Sequence, residues 1–286
     1  MIPAAFAYQR PTTIEEALRM LGSHPGAKVL AGGQSLLPLL KLRLATVETL
    51  VDIGRLPGLR GVRQLDDGRL AVGALTTYSD LLGSPAREYG VLRDALPHIG
   101  DVQVRNRGTV GGAIAHSDPG SDLPACLLAL DAELVIRSSD GERTVGVDGF
   151  FEGAFTTGLK PGELLTEIRL PAPRDDAGSA YASLEQSASG YALVGVAAVV
   201  ISDDGHGIRG ATVALTGVTD RAYRARAVES ALAGSDGSPA SIAAASGHAT
   251  DDIEVSSDIH ADRTYRSAMA AVYTRRAIEA ALARLR

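Results

Sequence analysis

The chain has 286 residues and a formal net charge of −6, with its 28 Lys and Arg residues dispersed along the sequence. This balance argues against nucleic acid as the main partner, because phosphate binding needs a basic footprint. No apolar run approaches the roughly 20 residues that span a bilayer, and the first residues lack a secretory-signal pattern, so we expect a cytoplasmic protein without a transmembrane segment. The length suits two domains.

The N-terminal half is predicted to alternate short helices with strands. Thr13 and Glu16 match a capping box at the start of the first helix. The tripeptide DDG (66–68) between two apolar segments predicts a β-hairpin. The other predicted elements are strands at 28–31 and 49–53, a short helix or turn around Pro38, and two helical pieces within 76–100.

The segment 105–124, RNRGTVGGAIAHSDPGSDLP, is interpreted as a long glycine-rich connection between two helices. The Pro-, Asp- and Gly-rich segment 171–180 is predicted to be the linker between two domains. Runs of strands and helices, rather than a regular alternation, indicate an α+β fold in both parts. The elements predicted here are a helix at 123–131, a strand pair around 139–141, a strand at 162–171, long strands at 191–202 and 207–219 joined by DDGH (203–206), and three final helical segments.

The single cysteine, Cys126, excludes several kinds of site. One cysteine allows no intrachain disulfide, which fits a reducing compartment. It is also too few for an iron–sulfur cluster, which generally needs four Cys ligands. Cys126 lies in an apolar helical run, so we expect a buried side chain that behaves as a small hydrophobe.

Two glycine-rich segments, AGGQS (31–35) and GTVGG (108–112), are the candidate ligand-binding elements. Neither matches the common nucleotide signatures. Adjacent glycines let backbone N–H groups approach an anion, and Gln34, Ser35 and Thr109 add neutral donors. The residues alone leave two interpretations open. The glycines form tight turns that need positive φ, or the two segments together clasp the pyrophosphate of a dinucleotide.

Carboxylates follow the second glycine segment in SDPGSD (117–122). Asp122 could accept hydrogen bonds from a ribose or polyol beside that segment. His116 and Asp118 invite a metal interpretation. We predict no metal site, because no second histidine lies nearby and Ser and Asp are common turn formers.

The segments VLAGGQSLLPLLKLRLA (29–45) and RNRGTVGGAIAHSDPGSDLPACLLALDAEL (105–134) resemble the FAD-binding medium subunit of molybdenum hydroxylases. This family includes the carbon monoxide dehydrogenase medium subunit and the separate FAD subunits of xanthine-dehydrogenase-type enzymes. The segments ASGYALVGVAAVV (188–200) and ADRTYRSAMAAVYTRRAI (261–278) resemble the C-terminal domain of the same proteins. The likeness covers essentially the whole chain, in order.

The resemblance implies an FAD-binding domain at 1–175 with the two-subdomain fold of the vanillyl-alcohol-oxidase and p-cresol-methylhydroxylase type. Its subdomains would be about 1–55 and 56–175, and an α+β domain with an antiparallel sheet and helices would follow at 176–286. FAD would bind non-covalently, and Tyr191 would lie near the isoalloxazine ring unless it is an ordinary interface residue. The positions that match the family's FAD contacts are Val29, Leu30, Ala31, Gly32, Gly33, Gln34, Ser35, Leu36, Ile99, Gly100, Val104, Gly108, Thr109, Gly111, Gly112, Ala113, Ala115, Ser121, Asp122 and Leu165.

One position departs from the family pattern. Relatives often have Lys at the third position of a Tyr-x-Lys element, where this chain has Ser183 after Tyr181. Loss of a cation near the flavin would disfavour its reduced anionic form and lower its potential. Lys28, Arg105 or a residue of a partner chain are the alternatives that could replace that charge.

The resemblance further implies an oxidoreductase subunit that carries electrons within a heteromeric molybdenum hydroxylase. The expected partners are a large subunit with the molybdenum cofactor and a small subunit with [2Fe–2S] clusters, in an (αβγ)₂ assembly. Electrons would pass from the clusters to FAD and on to NAD, a quinone, oxygen or another carrier. If the acceptor resides in the inner membrane, the cytoplasmic protein would lie at the surface of that membrane. No catalytic acid or base is assigned. The alternatives are a stand-alone FAD-dependent oxidase or reductase of the same fold and a non-catalytic nucleotide-binding module.

Overall fold

The computed structural model describes residues 2–202 and 207–285 and has an α+β architecture. Its strands are β1 (Ala7–Gln9), β2 (Ala27–Leu30), β3 (Thr49–Asp52), β4 (Val62–Gln64), β5 (Leu70–Gly73), β6 (Glu133–Ser138), β7 (Gly141–Gly146), β8 (Phe151–Gly153), β9 (Thr156–Thr157), β10 (Leu164–Leu170), β11 (Ala177–Glu185), β12 (Ala192–Ser202), β13 (Ile208–Thr216) and β14 (Tyr223–Arg224). Its helices are α1 (Ile14–Ser23), α2 (Leu36–Lys41), α3 (Tyr78–Leu82), α4 (Gly90–Ala95), α5 (Val102–Arg105), α6 (Val110–His116), α7 (Asp122–Ala129), α8 (Arg226–Leu232), α9 (Pro239–Ser246) and α10 (Arg263–Leu282).

The first sheet is parallel, with the strand order β1-β3-β2. The helix α1 buries Ala17 and Leu18 in a small core with Val51 of β3. At the start of α1, the Thr13 hydroxyl accepts a hydrogen bond from the Glu16 amide at 3.1 Å, as predicted. The returning half of the capping box is shifted by one residue, because the Glu16 carboxylate accepts from the Thr12 amide and hydroxyl.

The second sheet is antiparallel, with the order β4-β5-β10-β6-β7. The predicted hairpins β4–β5 and β6–β7 are confirmed, and β10 lies between them. The helix α7 is buried along its whole length in the largest core of the chain. Cys126 lies in this helix and is fully buried, which confirms the sequence prediction.

The third sheet is antiparallel, with the order β11-β12-β13-β14, and α10 packs against β11 and β12. The three predicted helical segments are α8, α9 and α10. The predicted DDGH connection lies outside the described residues. No helix within residues 2–202 and 207–285 combines the length and the apolar character that crossing a bilayer requires.

The predicted linker 171–180 is wrong in its second half, because β11 begins at Ala177. Gly178, one of the residues on which the linker prediction was based, is needed for close packing. A β-carbon on Gly178 would overlap the carbonyl oxygen of Ala281 in α10. Glycine therefore lets this strand lie directly against the helix, and the connection is limited to 171–176.

The interpretation of 105–124 as one long connection is also wrong, because α6 forms within it. Thr109 caps this helix by accepting a hydrogen bond from the Gly112 amide at 3.1 Å. Gly111 and Gly112 thus lie in the first helical turn. A helix is formed despite the two glycines, since tertiary packing overrides weak helix propensity.

Contacts beside α4 join the N-terminal part of the chain to the third sheet and α10. Arg284, just beyond α10, forms hydrogen bonds with both oxygens of Asp94 in α4 and with the Ser179 carbonyl of β11. A β-carbon on Gly90 would overlap that same carbonyl oxygen of Ser179. The third sheet therefore lies at contact distance from the helices of the second.

Candidate cofactor-binding site

The two glycine-rich segments lie against each other. The first follows β2, and the second leads into α6. A β-carbon on Gly32 would overlap the carbonyl oxygen of Arg107 and would lie 3.0 Å from the α-carbon of Gly108. Since no side chain fits between the segments, glycine at position 32 allows their backbones to meet.

The second segment is also fixed by close packing. A β-carbon on Gly111 would lie 2.5 Å from the Ala74 side chain, and one on Gly108 would lie 2.6 Å from the Tyr78 ring. Among the predicted glycines of both segments, only Gly33 has a positive φ, at 75°. A tight turn therefore explains Gly33, and contact between the two segments explains Gly32. Gly108 and Gly111 are explained by close packing on Tyr78 and Ala74.

A cleft in two adjoining parts runs along these segments, and the empty space in the two parts, open solvent included, is about 500 and 820 Å³. Both parts share the walls formed by Gln34, Ser35, Tyr78, Ala113 and His116. No Lys or Arg among the described residues lines either part, so polar contacts here come from backbone amides and neutral side chains.

Most of the predicted contact residues meet in this cleft. Those that line it are Leu30, Ala31, Gly32, Gly33, Gln34, Ser35, Leu36, Ile99, Gly100, Val104, Gly108, Thr109, Gly112, Ala113, Ser121, Asp122 and Tyr191. Four others do not line it. Val29 lies within β2, Gly111 packs on Ala74, Ala115 is exposed on α6, and Leu165 is buried in the core beneath.

Sequence reasoning missed Tyr78, which lines both parts of the cleft. This residue begins α3 and is 8% exposed, with its ring against Gly108. Its burial raises the pKa of the hydroxyl, so the group stays protonated at neutral pH. Thr77 was recognisable as a helix cap, but nothing in the local sequence indicates that the next residue faces a cleft. Asp118, Ser189 and Gly190 line the cleft and were likewise missed.

His116 lies at the end of α6 in the wall shared by both parts of the cleft. Its ring centroid is 5.0 Å from that of Phe155. Burial lowers the pKa of the imidazole, although Asp118 opposes this shift. Within the described residues, no group of three or more His, Cys, Asp or Glu side chains is placed to hold a metal ion. Because burial lowers its pKa, the His116 ring in the cleft wall is uncharged at neutral pH.

Asp122 is the first residue of α7 and is 6% exposed. Its Oδ1 atom accepts a hydrogen bond from the Tyr181 hydroxyl of β11 at 2.5 Å. Burial raises the pKa of Asp122 to about 6, whereas the bond from Tyr181 lowers it. The predicted acceptor for a ribose or polyol is therefore held by a residue of the third sheet, which the sequence did not reveal.

Tyr191 lies in the turn between β11 and β12 and is 47% exposed. This turn is closed by a hydrogen bond from the Gln186 amide to the Tyr191 carbonyl at 2.8 Å. Burial of the ring and the charge of Asp118 raise the pKa of Tyr191, while an interaction with the Ser35 side chain opposes the shift. Tyr191 therefore lines the larger part of the cleft together with Ser35 of the first glycine segment.

Ser183, at the position where relatives often have Lys, lies on β11 and does not line the cleft. Its hydroxyl donates to Glu185 at 3.4 Å. The candidates for a replacement cation are also outside the cleft walls. Lys28 is exposed on β2, and the Arg105 guanidinium donates to the backbone carbonyls of residues 97, 99 and 100.

Comparison with known proteins identifies the family. A model of the FAD-binding domain in molybdopterin dehydrogenase matches residues 4–173, and a model of the CO dehydrogenase flavoprotein C-terminal domain matches residues 179–281. The chain belongs to the family of FAD-binding medium subunits of molybdenum hydroxylases. The family predicted from the glycine segments, the FAD cofactor and the oxidoreductase class are thereby confirmed.

The similarity to individual members of the family extends over the whole chain. The carbon monoxide dehydrogenase medium chain of Hydrogenophaga pseudoflava is 41% identical, and the match covers 99% of each chain. A solved structure of that enzyme matches with a TM-score of 0.95 at 42% identity, again over 99% of each chain. Quinoline 2-oxidoreductase from Pseudomonas putida 86 matches with a TM-score of 0.92 at 35% identity over 99% of each chain. The predicted fold, an α+β FAD-binding domain followed by an antiparallel sheet with helices, is confirmed.

The residues that line the cleft of this flavoprotein are chemically suited to FAD. The glycine segments present backbone without side chains at their meeting point, which suits a diphosphate. Neutral donors from Gln34, Ser35 and Thr109 accompany them. The larger part of the cleft adds a carboxyl group at Asp122 and an aromatic ring at Tyr191, which suit a polyol and a flavin.

Proposed function

We propose that this flavoprotein is the electron-exit subunit of a three-component molybdenum hydroxylase. In this proposal it takes electrons from [2Fe–2S] clusters on a small partner subunit and passes them to an external acceptor. The observation that carries the proposal is the cleft between the two glycine segments, within a chain that matches medium subunits over its whole length.

The first glycine segment and the start of α6 would hold the FAD diphosphate. Gly32 and Gly112 line the cleft there, and Thr109 is fixed as the helix cap by the hydrogen bond that it accepts from the Gly112 amide. Binding of the diphosphate without Lys or Arg keeps a low local charge, so affinity depends on the fixed geometry of neutral donors. Any displacement of the two backbones would weaken all these contacts together.

The larger part of the cleft would hold the ribityl chain and the flavin ring. Bound FAD supplies the redox chemistry, since it can take up and release electrons. Asp122 would accept a hydrogen bond from a hydroxyl of the cofactor. Tyr191 would cover the ring and limit the entry of water, and neutral His116 would line the wall opposite without adding charge.

The chain does not provide the ligands of an iron–sulfur cluster. Its one cysteine is fully buried and a cluster generally needs four, so the clusters of this proposal would be held by another polypeptide. The proposal therefore includes a large molybdenum-cofactor subunit and a small iron–sulfur subunit in an (αβγ)₂ assembly. It also includes a cytoplasmic location, for which the single cysteine is the support. NAD, a quinone, oxygen or another carrier would be the acceptor.

The same proposal divides the chain at 1–55, 56–175 and 176–286. The four sheets, which include the two-stranded sheet β8-β9, support this division, because each is formed within one of these ranges. The cleft would then lie where all three meet, which is a common position for a cofactor.

Electron exit through the flavin can be tested by removing FAD from the native complex. The clusters are reduced with dithionite, and their reoxidation by NAD⁺, a quinone or oxygen is followed by electron paramagnetic resonance. We expect reoxidation to slow at least about 10-fold without flavin and to recover when FAD is added back. Equal reoxidation rates with and without flavin would contradict the proposal.

A further inference from the structure

We propose that Tyr181 is a positioning residue for the cofactor: from the third sheet it holds the Asp122 carboxylate in the orientation that retains FAD. The inference rests on the proposed function, because it concerns the same cleft. It goes further by assigning part of the control of cofactor retention to a residue that does not line the cleft.

The contact between the two residues is built by several elements. Tyr181 is 7% exposed, and its hydroxyl donates to Asp122 Oδ1 at 2.5 Å. A β-carbon on Gly195, in the adjacent strand β12, would overlap the Tyr181 hydroxyl oxygen. Glycine at that position thus leaves the space through which the tyrosine reaches α7.

The backbone of Tyr181 is fixed as well. Its amide donates to Asp94 Oδ2 at 3.1 Å, and the same carboxylate is bound by Arg284. The tyrosine is therefore tied to α4 through its backbone and to α7 through its side chain. Both attachments join the third sheet to these helices, so the position of Asp122 depends on how α4 and α7 are docked on that sheet.

Three other groups act on Asp122. Its own backbone amide and His98 lower its pKa, and Glu185 raises it. The His98 Nδ1 atom lies 2.7 Å from Glu185 Oε1. The remaining titratable neighbours are Tyr78, Tyr191 and Cys126, and burial raises the pKa of each of them.

Among the described residues, the Tyr181 hydroxyl is the side-chain donor to Asp122, and it binds Oδ1, so Oδ2 would accept the hydrogen bond from a ligand hydroxyl. A carboxylate is a stronger acceptor than a neutral acid. Burial raises the pKa of Asp122 to about 6 despite the hydrogen bond, so removal of the bond would raise it further. At neutral pH, loss of the Tyr181 hydroxyl would therefore leave more of Asp122 protonated and free to reorient.

The test measures the rate of FAD release from the native complex between pH 5.5 and pH 8.5, by the rise in flavin fluorescence. Tyr181→Phe is compared with Tyr89→Phe. Tyr89 is similarly buried, and its hydroxyl donates to the Pro171 carbonyl away from the cleft. For Tyr181→Phe we expect release about 10-fold faster at pH 6.5, a smaller effect at pH 8.5, and a profile displaced to higher pH. Tyr89→Phe should keep the wild-type profile.

Identical pH profiles for the two Tyr→Phe variants would overturn the inference and leave the proposed function intact. A wild-type complex that contains no FAD would overturn both. If Tyr181→Phe does not assemble, Asp122→Asn decides the question. The inference requires this variant to lose the pH dependence of FAD release between pH 5.5 and 7.5, and a wild-type profile would contradict it.

Discussion

Gly32 and Arg107 are in direct backbone contact, and this contact joins the two glycine segments of the FAD cleft. A β-carbon on Gly32 would overlap the Arg107 carbonyl oxygen and would lie 2.9 Å from its carbonyl carbon. The two backbone segments that are expected to flank the diphosphate therefore meet at a contact that only glycine permits. Its disturbance should affect cofactor binding and stability together.

Gly32→Ala should separate the segments. We expect it to lower the free energy of unfolding by about 1–3 kcal/mol, as overpacking does, and to leave the complex with much less FAD. Gly22→Ala is the matched control, because Gly22 lies in α1, where an added β-carbon would have nothing within 4 Å. That variant should gain about 0.5–1 kcal/mol and retain FAD. Thermal denaturation and flavin content check both outcomes, and normal flavin content in Gly32→Ala would refute the explanation.

Asp122→Asn should stabilise the flavin-free chain in a pH-dependent manner. The pKa of Asp122 is about 6 in the fold against an ordinary value of 3.8, so its ionisation opposes folding. The stability due to its neutral form is present below about pH 4 and is lost as the pH rises through about 6. Asparagine stays neutral, and its advantage should grow by about 2 kcal/mol between pH 4.5 and pH 8. Denaturant unfolding at both pH values tests this, and a constant difference would contradict it.

Tyr191→Ala should weaken FAD retention by loss of the aromatic cover. A contribution of about 1 kcal/mol corresponds to FAD release about 5-fold faster. Tyr191→Phe keeps the ring and should stay within about 2-fold of wild type. Tyr265→Ala provides the control, because Tyr265 is also 47% exposed but lines neither part of the cleft. Release that is equally fast in Tyr191→Ala and Tyr265→Ala would show that the ring does not cover the flavin.

Arg284→Ala should loosen the contact between α4 and β11 of the third sheet. The side chains of Arg284 and Asp94 are 33% and 20% exposed, so their hydrogen bonds are partly shielded from water. We expect a loss of about 1–3 kcal/mol in the free energy of unfolding. Arg275→Ala, which removes a more exposed ion pair within α10, should cost less than about 0.5 kcal/mol. Equal losses in denaturant unfolding would argue against the fastening role of Arg284.

The sequence was sufficient for elements whose signals are local. The DDG tripeptide predicted the β4–β5 hairpin, because turn residues and alternating apolar residues act over a few positions. The two glycine segments led to the correct family because both were present at a characteristic separation. The contact residues were proposed from that family resemblance, and most of them meet in one cleft.

Features that depend on distant contacts were not accessible in this way. The small residues of β11 were interpreted as a linker, although Gly178 is small because α10 lies against it. The two glycines of α6 suggested a loop, although Gly111 packs on Ala74 from another element. Tyr78 and Tyr181 are brought to the site by the packing of distant segments. The sequence around Tyr78 resembles that of any helix start, and the sequence around Tyr181 resembles that of any strand.

The composition of the native complex tests the central claim most directly. The chain is purified with its natural partners, and the flavin, molybdenum and iron contents are measured together with the number of subunits. We predict one FAD per copy of this chain, with molybdenum, iron and two further subunits present. A yellow single-chain enzyme that turns over without partners, or a complex without flavin, would contradict the assignment of this chain as the electron-exit subunit.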